Sequence, residues 1–84
     1  MQLQDKTIFV TGGASGLGAA CARLLVQSGA NVAIADLNSE TGNALAKELG
    51  NAALFLETNV AEEVSVQTSV KSAVEHFGGL HGAI

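Results

Sequence analysis

The feature that most constrains the fold is a cluster of glycines between an apolar run and a helical pattern. The run Thr7-Ile8-Phe9-Val10-Thr11 is rich in β-branched and aromatic residues and predicts a short buried strand. The loop Gly12-Gly13-Ala14-Ser15-Gly16-Leu17-Gly18 follows it, and from Gly16 onward apolar residues recur every three or four positions. A strand that passes through such a loop directly into a helix is typical of a dinucleotide-binding β-α-β unit.

The same alternation of strand and helix patterns continues along the chain. Further strands are predicted at Asn31–Asp36 and Ala53–Thr58, and Gly82-Ala83-Ile84 resembles the start of a fourth. The helices between them end at Gly29, at Gly50 and at Gly78-Gly79, and Asn38 or Ser39 caps the second helix. This order predicts an α/β fold, a Rossmann-type doubly wound parallel sheet in the order 3-2-1-4. Its ligand crevice is expected between strands 1 and 4, at their carboxyl ends.

The helical periods also predict which residues pack against the sheet. The first helix is expected to bury Cys21 as a small hydrophobe on the same face as its leucines. The predicted packing faces are Leu17, Ala20, Cys21, Leu24, Leu25 and Ser28 on the first helix, Ala44, Leu45 and Leu49 on the second, and Val66, Val70, Ala73, Val74 and Phe77 on the third.

Composition excludes several classes of function. A net charge of −4 and a pI near 4.8 leave no basic patch for nucleic acid or an anionic membrane. The single cysteine cannot form an internal disulfide framework or a Cys-rich zinc site, and His76 and His81 are interpreted as a helix-end and a loop residue, so no metal is predicted. Without a membrane-spanning apolar run or a signal-peptide pattern, the chain is expected to be cytoplasmic. With 84 residues and no proline, residues 1–84 are expected to form part of a single domain.

The glycine loop predicts phosphate binding. Gly12 suits the tight turn after the strand, Gly16 leaves room for a ligand, and Gly18 lets the helix lie close to the sheet. Ser15 can cap the helix or face the ligand, and the helix N-terminus offers free N–H groups to a pyrophosphate. The spacing G-x-x-x-G-x-G, without a following Lys-Ser/Thr pair, excludes a P-loop. The alternative is that these glycines merely allow a tight connection.

Asp36 lies 18 residues after Gly18, close to the position about 20 residues on where such folds place a ribose-binding acid. Its carboxylate can accept hydrogen bonds from the adenine ribose and would repel the 2′-phosphate of NADP. The positions where an NADP enzyme would carry Arg or Lys hold Ala14, Leu37 and Asn38. NAD is therefore the predicted cofactor, with Asp36 and Leu37 beside the adenosine. The alternative is that Asp36 only begins a turn.

The glycine run, the acid after the second strand and Asn59-Val60 after the third together resemble the short-chain dehydrogenase/reductase family. Within it, Val10 to Gly18 with Asp36-Leu37 is similar to the type-2 3-hydroxyacyl-CoA dehydrogenase branch. The resemblance covers essentially the whole chain. It implies an NAD-dependent oxidoreductase that transfers a hydride between a secondary alcohol, such as a 3-hydroxyacyl-CoA, and NAD. It also implies a tetramer of identical subunits.

The resemblance implies cofactor contacts from Ser15, Leu17, Asp36, Asn59 and Val60. The family usually has Asp where Asn59 stands, so that the contact to adenine would be made by an amide. It usually has a Ser or Thr cap where Ala61 stands, a loss that Glu62 and Glu63 partly offset at the helix dipole.

The family's catalytic groups are a Tyr-x-x-x-Lys pair, a Ser and an Asn-Ala-Gly loop after the fourth strand. This sequence has no tyrosine and ends at Ile84, so no catalytic residue is predicted in it, and 1–84 is expected to be the dinucleotide-binding part of a longer protein. Two alternatives stay open: a binding-only NAD module, and an NADP-dependent carbonyl or 3-oxoacyl reductase.

Overall fold

The computed structural model describes residues 3–84. Strands and helices alternate along them, with a single 3₁₀ turn at Gly50–Ala52. The elements are β1 (Thr7–Thr11), α1 (Gly16–Gln27), β2 (Asn31–Asp36), α2 (Ser39–Leu49), β3 (Ala53–Glu57), α3 (Glu63–Phe77) and β4 (Gly82–Ala83).

The strands form one parallel sheet in the order β3-β2-β1-β4, which confirms the predicted topology. β1 and β2 pair along their whole length, from Thr7 opposite Asn31 to Thr11 opposite Ala35. β4 pairs with β1 at two positions only, Ile8 with Gly82 and Phe9 with Ala83. The central strands are buried because parallel crossovers place helices on the sheet faces, whereas β3 at the edge is half-buried.

Alternate residues of the strands build two separate cores, one on each face of the sheet. On one face, β1 and β2 pack against α1 and α2, and on the other they pack against α3. The first core contains Ile8, Val10, Ala19, Ala22, Val32, Ile34 and Leu45, and the second contains Phe9, Ala33, Ala35 and Ala73. Helices on both faces confirm the doubly wound arrangement.

The predicted packing face of α1 was wrong. Ala19 and Ala22 are the buried residues of this helix, with Leu25 and Val26 packed beside them. Leu17 is 82% exposed and Leu24 is 64% exposed, and Cys21 is only half-buried. The face of α1 that meets the sheet is therefore centred on two alanines, and the stripe that contains Leu17 and Leu24 faces outward.

The other helices agree better with their patterns. Asn38 caps α2, since its side chain accepts a hydrogen bond from the backbone N–H of Thr41 at 3.1 Å. Gly42 is buried there because the ring of Phe55 occupies the space that a side chain would need. Ala44, predicted to pack, is exposed, whereas Ala46 contacts the core.

α3 differs from its pattern at two positions. It begins at Glu63 with Glu62 as its N-cap residue, so the cap position is not Ala61, and the Glu62 side chain makes no capping bond. Ser69 and Ala73 are its buried residues, and Val74, predicted to pack, is exposed. Within residues 3–84, none of the helices has the length and hydropathy needed to cross a membrane.

Candidate functional site

The glycine loop leaves open space beside two of its glycines. Gly12 and Gly16 have left-handed backbone angles, φ +62° and +54°, which glycine adopts readily. A Cβ at either position would have no atom within 4 Å. The backbone N–H of Gly12 donates to the carbonyl of Ala35 at 2.8 Å, which holds the loop against the end of β2. A ligand can therefore approach the loop backbone closely at both glycines.

Gly18 serves packing and not open space. A Cβ there would collide with the carbonyl group of Gly12 and with the Cα of Gly13. The sequence predicted that Gly18 lets the helix lie close to the sheet, whereas the close contact at Gly18 is between the first turn of α1 and the loop. Only glycine fits at this position without moving the loop.

Ser15 stands at the N-cap of α1 in an extended conformation, φ −147° and ψ 159°, yet its side chain makes no capping hydrogen bond. Of the two roles predicted for Ser15, capping the helix or facing a ligand, its side chain does not perform the first. The first turn also contains no acidic residue. Because no side chain occupies it, this helix end retains its positive dipole and its hydrogen-bond donors for an anion.

The Asp36 carboxylate connects two loops. Its Oδ2 accepts from the backbone N–H of Ala14 at 3.1 Å, and its Oδ1 accepts from the N–H of Asn38 at 3.0 Å. The acid does begin a turn, as the alternative reading held, but it also holds the glycine loop. A carboxylate has about four lone-pair sites, so about two stay free for a ligand's hydroxyl groups.

An open groove lies at the carboxyl ends of β1, β2 and β3. The exposed side chains of Leu37 and Val60, 63% and 57% accessible, give it apolar walls. It lies on the β2 side of β1, whereas the sequence predicted a crevice on the β4 side. Its lining residues are Gly12, Ala35, Asp36, Leu37, Thr58 and Val60.

Asn59 does not line this groove, and its side chain bonds within its own loop. Oδ1 accepts from the N–H of Ala61 at 3.0 Å, and Nδ2 donates to Glu62 at 2.9 Å. The backbone N–H of Asn59 donates to the hydroxyl of Ser65 at 2.9 Å. These bonds hold the loop that carries Val60 at the groove.

A buried pair of hydroxyl groups lies beneath the groove, and the sequence analysis missed it. Thr58 donates to the carbonyl of Leu56 at 2.8 Å, so Ser69 is the donor in the 2.6 Å bond between the two hydroxyls. This pair joins the end of β3 to α3. The only sequence signal was a serine at a sheet-facing position of the third helix.

Charge interactions lie away from the groove. Arg23 on α1 and Glu48 on α2 form an exposed ion pair at 2.8 Å. Hydrogen bonding to Glu48 and its charge raise the pKa of Arg23, and hydrogen bonding to Arg23 lowers the pKa of Glu48. Among residues 3–84, no three His, Cys, Asp or Glu side chains are grouped so that they could hold a metal ion.

Comparison with known proteins decides the family. A family model described as short chain dehydrogenase matches residues 6–84. The chain belongs to the short-chain dehydrogenase/reductase family.

Two curated members of the family are similar over nearly the whole chain. A 2,5-dichloro-2,5-cyclohexadiene-1,4-diol dehydrogenase from Sphingobium indicum is 48% identical over 81 residues, which are 96% of this chain and 32% of that protein. The 3-hydroxyacyl-CoA dehydrogenase type-2 of Drosophila melanogaster is 44% identical over 78 residues, 93% of this chain and 31% of that protein.

Solved structures of short-chain dehydrogenases/reductases share the fold. The 3-hydroxyacyl-CoA dehydrogenase type-2 of Mycobacterium avium superposes with a TM-score of 0.90 at 46% identity, over 98% of this chain and 32% of that one. The 3-ketoacyl-(acyl-carrier-protein) reductase of Brucella melitensis, complexed with NADH, gives a TM-score of 0.94 at 31% identity, over 96% and 33%. The chain thus spans about a third of the length of these relatives.

In this member of the short-chain dehydrogenase/reductase family, the residues predicted from the sequence gather at one edge of the sheet. Gly12, Asp36, Leu37 and Val60 line the groove, and Ser15, Gly16 and Leu17 stand at the open end of α1. Gly18 lets the first turn of α1 pack against the loop backbone, and the side chain of Asn59 holds the loop that carries Val60. Thr58, which was not singled out, lies at the base of the groove.

Proposed function

We propose that this chain binds NAD and is the dinucleotide-binding part of an NAD-dependent dehydrogenase. The observation that carries the proposal is the Asp36 carboxylate, which borders the groove. The backbone N–H groups of Ala14 and Asn38 orient it, and lone pairs on its oxygens stay free to accept further hydrogen bonds. Family membership supports a dinucleotide, and a relative with the same fold is complexed with NADH.

The groove residues fit the adenosine half of the cofactor. Leu37 and Val60 offer apolar walls to a flat base, and Asp36 offers acceptors to the ribose hydroxyls. The backbone N–H of Val60 has no partner among residues 3–84, so it can donate to the edge of the base. Asn59 acts through the loop that it holds.

The open end of α1 fits the pyrophosphate. Gly12 and Gly16 have no side chain that would cover their backbone, and the Ser15 hydroxyl makes no capping hydrogen bond. The exposed side chain of Leu17 extends the apolar surface at the same end. Backbone donors at a helix N-terminus bind phosphate oxygens without a charged side chain.

NAD is favoured over NADP for an electrostatic reason. A 2′-phosphate would lie against the Asp36 carboxylate, and like charges about 4 Å apart repel by up to about 4 kcal/mol at an effective dielectric near 20. No Lys or Arg lines the groove to offset this repulsion.

The reaction that we propose for the whole protein is hydride transfer between a secondary alcohol and NAD. NAD would supply the hydride acceptor when it is bound, and the residues of this chain would hold and orient the cofactor. A 3-hydroxyacyl-CoA substrate is supported by the two type-2 relatives, at 44% and 46% identity. The relative at 48% acts on a cyclic diol, which is also a secondary alcohol.

The test is calorimetric titration of the chain with NAD and with NADP. We expect NAD to bind and NADP to bind at least tenfold more weakly, and Asp36→Ala to remove most of that preference. Glu75→Gln at the far end of α3 is the control, since it changes the net charge equally. Tighter binding of NADP would refute the proposed cofactor and support the carbonyl reductase alternative.

A dehydrogenase assay separates the enzyme from a binding-only module. We expect NAD reduction with a 3-hydroxyacyl-CoA only in a protein that also carries the family's Ser, Tyr and Lys, because this sequence has no tyrosine. The tetramer and the cytoplasmic location stay predictions of the sequence.

A further inference from the structure

Most features of the groove are suited to parts of NAD that a second nucleotide shares. Coenzyme A, the carrier in the proposed substrate, also contains adenine, ribose and a 5′-pyrophosphate. Leu37 and Val60 offer apolar walls to either adenine, and the helix N-terminus after Ser15 offers donors to either pyrophosphate. These features therefore do not separate the cofactor from a substrate that carries coenzyme A.

The adenosine parts of the two nucleotides differ at the ribose. Both ribose hydroxyls are free in NAD, whereas coenzyme A carries a phosphate on the 3′-oxygen. Among residues 3–84, Asp36 is the charged residue that lines the groove. Each of its oxygens accepts one backbone hydrogen bond, from Ala14 or from Asn38, and keeps a lone pair for one more. Two neighbouring hydroxyls can donate to both oxygens, but a ribose with a 3′-phosphate cannot.

The four Lys and Arg side chains of the sequence are placed away from the groove. Lys6 precedes β1, at the opposite end of the sheet, and Lys47 lies in the last turn of α2. Arg23 and Lys71 lie about two turns into α1 and α3, and Arg23 is already paired with Glu48. Among residues 3–84, no basic side chain therefore lines the groove to bind a phosphate on the ribose.

Carboxylates are concentrated at this end of the sheet instead. Glu57 ends β3 and lies opposite Asp36 in the strand register. Glu40 lies in the first turn of α2, and Glu62 and Glu63 stand at the start of α3. A phosphate monoester adds about two negative charges at neutral pH. The carboxylates therefore oppose a 3′-phosphate and do not oppose the uncharged hydroxyls of NAD.

We propose that Asp36 prevents coenzyme A and its acyl esters from binding in the cofactor groove, which accepts ADP, NAD and dephospho-coenzyme A. The inference rests on the proposed function, because it takes the groove to be the adenosine site. An enzyme whose cofactor and substrate both contain ADP works only if the substrate does not block the cofactor site. The 3′-phosphate is the chemical difference by which this chain separates the two.

The experiment is calorimetric titration of the chain with two matched pairs of ligands. ADP is compared with its 3′-phosphate, and dephospho-coenzyme A is compared with coenzyme A, so that each pair differs by the 3′-phosphate alone. We expect the 3′-phosphate to weaken binding at least about tenfold in both pairs. Equal affinities within the pairs would overturn the inference and leave the nucleotide site in place. If neither ADP nor NAD bound, the proposed function would fail, and the inference with it.

Variants of Asp36 test whether this residue is the cause. The readout is the ratio of the two affinities within a pair, which a loosened loop changes little because it weakens both ligands alike. We expect Asp36→Asn, which removes the charge, to reduce the ratio, and Asp36→Ala to bring it close to one. Glu75→Gln, at the far end of α3, changes the net charge equally and should keep the wild-type ratio. A wild-type ratio in Asp36→Ala would overturn the role given to Asp36.

Discussion

The Asp36 carboxylate accepts a hydrogen bond from the backbone N–H of Ala14 at 3.1 Å, which joins the end of β2 to the glycine loop after β1. Its second oxygen is held by the N–H of Asn38 at 3.0 Å. A side chain proposed to bind ribose therefore also supports the loop proposed to bind phosphate. Substitutions made to change cofactor preference at this position will also change the loop.

The first prediction follows from that double role. Asp36→Asn has one acceptor oxygen for two backbone N–H groups, so one N–H loses its partner and faces an amide donor. We expect the free energy of unfolding to fall by about 1–3 kcal/mol, measured by urea titration without cofactor. Glu75→Gln should change it little, and equal stability of Asp36→Asn and wild type would show that the two bonds do not support the loop.

The second prediction concerns Gly42. Gly to Ala inside a helix normally stabilises it by about 1 kcal/mol. Here the new methyl group would overlap the ring of Phe55, so we expect Gly42→Ala to destabilise the chain by about 1–3 kcal/mol instead.

The control for this prediction is a smaller side chain in place of the Phe55 ring. In the background of Phe55→Leu, which frees space, Gly42→Ala should cost less than it does in the wild type. Thermal unfolding of the wild type, the two single variants and the double variant measures the coupling between the two stability changes. Additive effects would argue against the contact between Gly42 and Phe55.

The third prediction compares the stability that is lost when each of two buried hydroxyl groups, those of Thr58 and Ser69, is removed. Thr58→Val leaves the hydroxyl of Ser69 without its acceptor and should cost about 1–3 kcal/mol. Ser69→Ala leaves Thr58 bonded to the carbonyl of Leu56 and should cost less. Urea unfolding of both single variants and the double variant gives the order. A larger cost for Ser69→Ala would mean that Thr58 is not the acceptor.

The fourth prediction concerns pH and salt. Because pairing with Arg23 lowers the pKa of Glu48, the pair stabilises the fold above the ordinary range of glutamate titration. That contribution is lost as pH falls through the lowered value. Both groups are exposed, so the effect should be small and should shrink in high salt. Glu48→Gln, compared with wild type in low and high salt at pH 7 and pH 3, measures it. If the difference in stability between wild type and Glu48→Gln were the same at pH 3 as at pH 7, the prediction would be contradicted.

The strand order was predictable because the glycine-punctuated alternation of strand and helix patterns allows few parallel topologies. The same pattern misplaced the inner face of α1. Hydrophobic period favours the leucines, but the residues of α1 that the fold buries are Ala19 and Ala22. Propensity and period carry no information about how near a helix lies to its sheet.

The candidate site was predictable where one short segment carries it, as at Gly12, Gly16 and Asp36. The contacts that support the site were not. Ala14 and Asp36 are 22 residues apart, and Thr58 and Ser69 are 11 apart on different elements. Ser15 occupies the N-cap position that its residue type favours, and yet its side chain makes no capping hydrogen bond.

The position of β1 between β2 and β4 has a consequence for folding during synthesis. β2 follows β1 by about two dozen residues, so one edge of β1 can pair early. The partner of its other edge is 74 residues away, at His81 and beyond. Closing so long a loop is slower and costs more entropy than closing a short one. Until β4 has been synthesised, one edge of β1 is therefore unpaired and exposed to pairing with other chains.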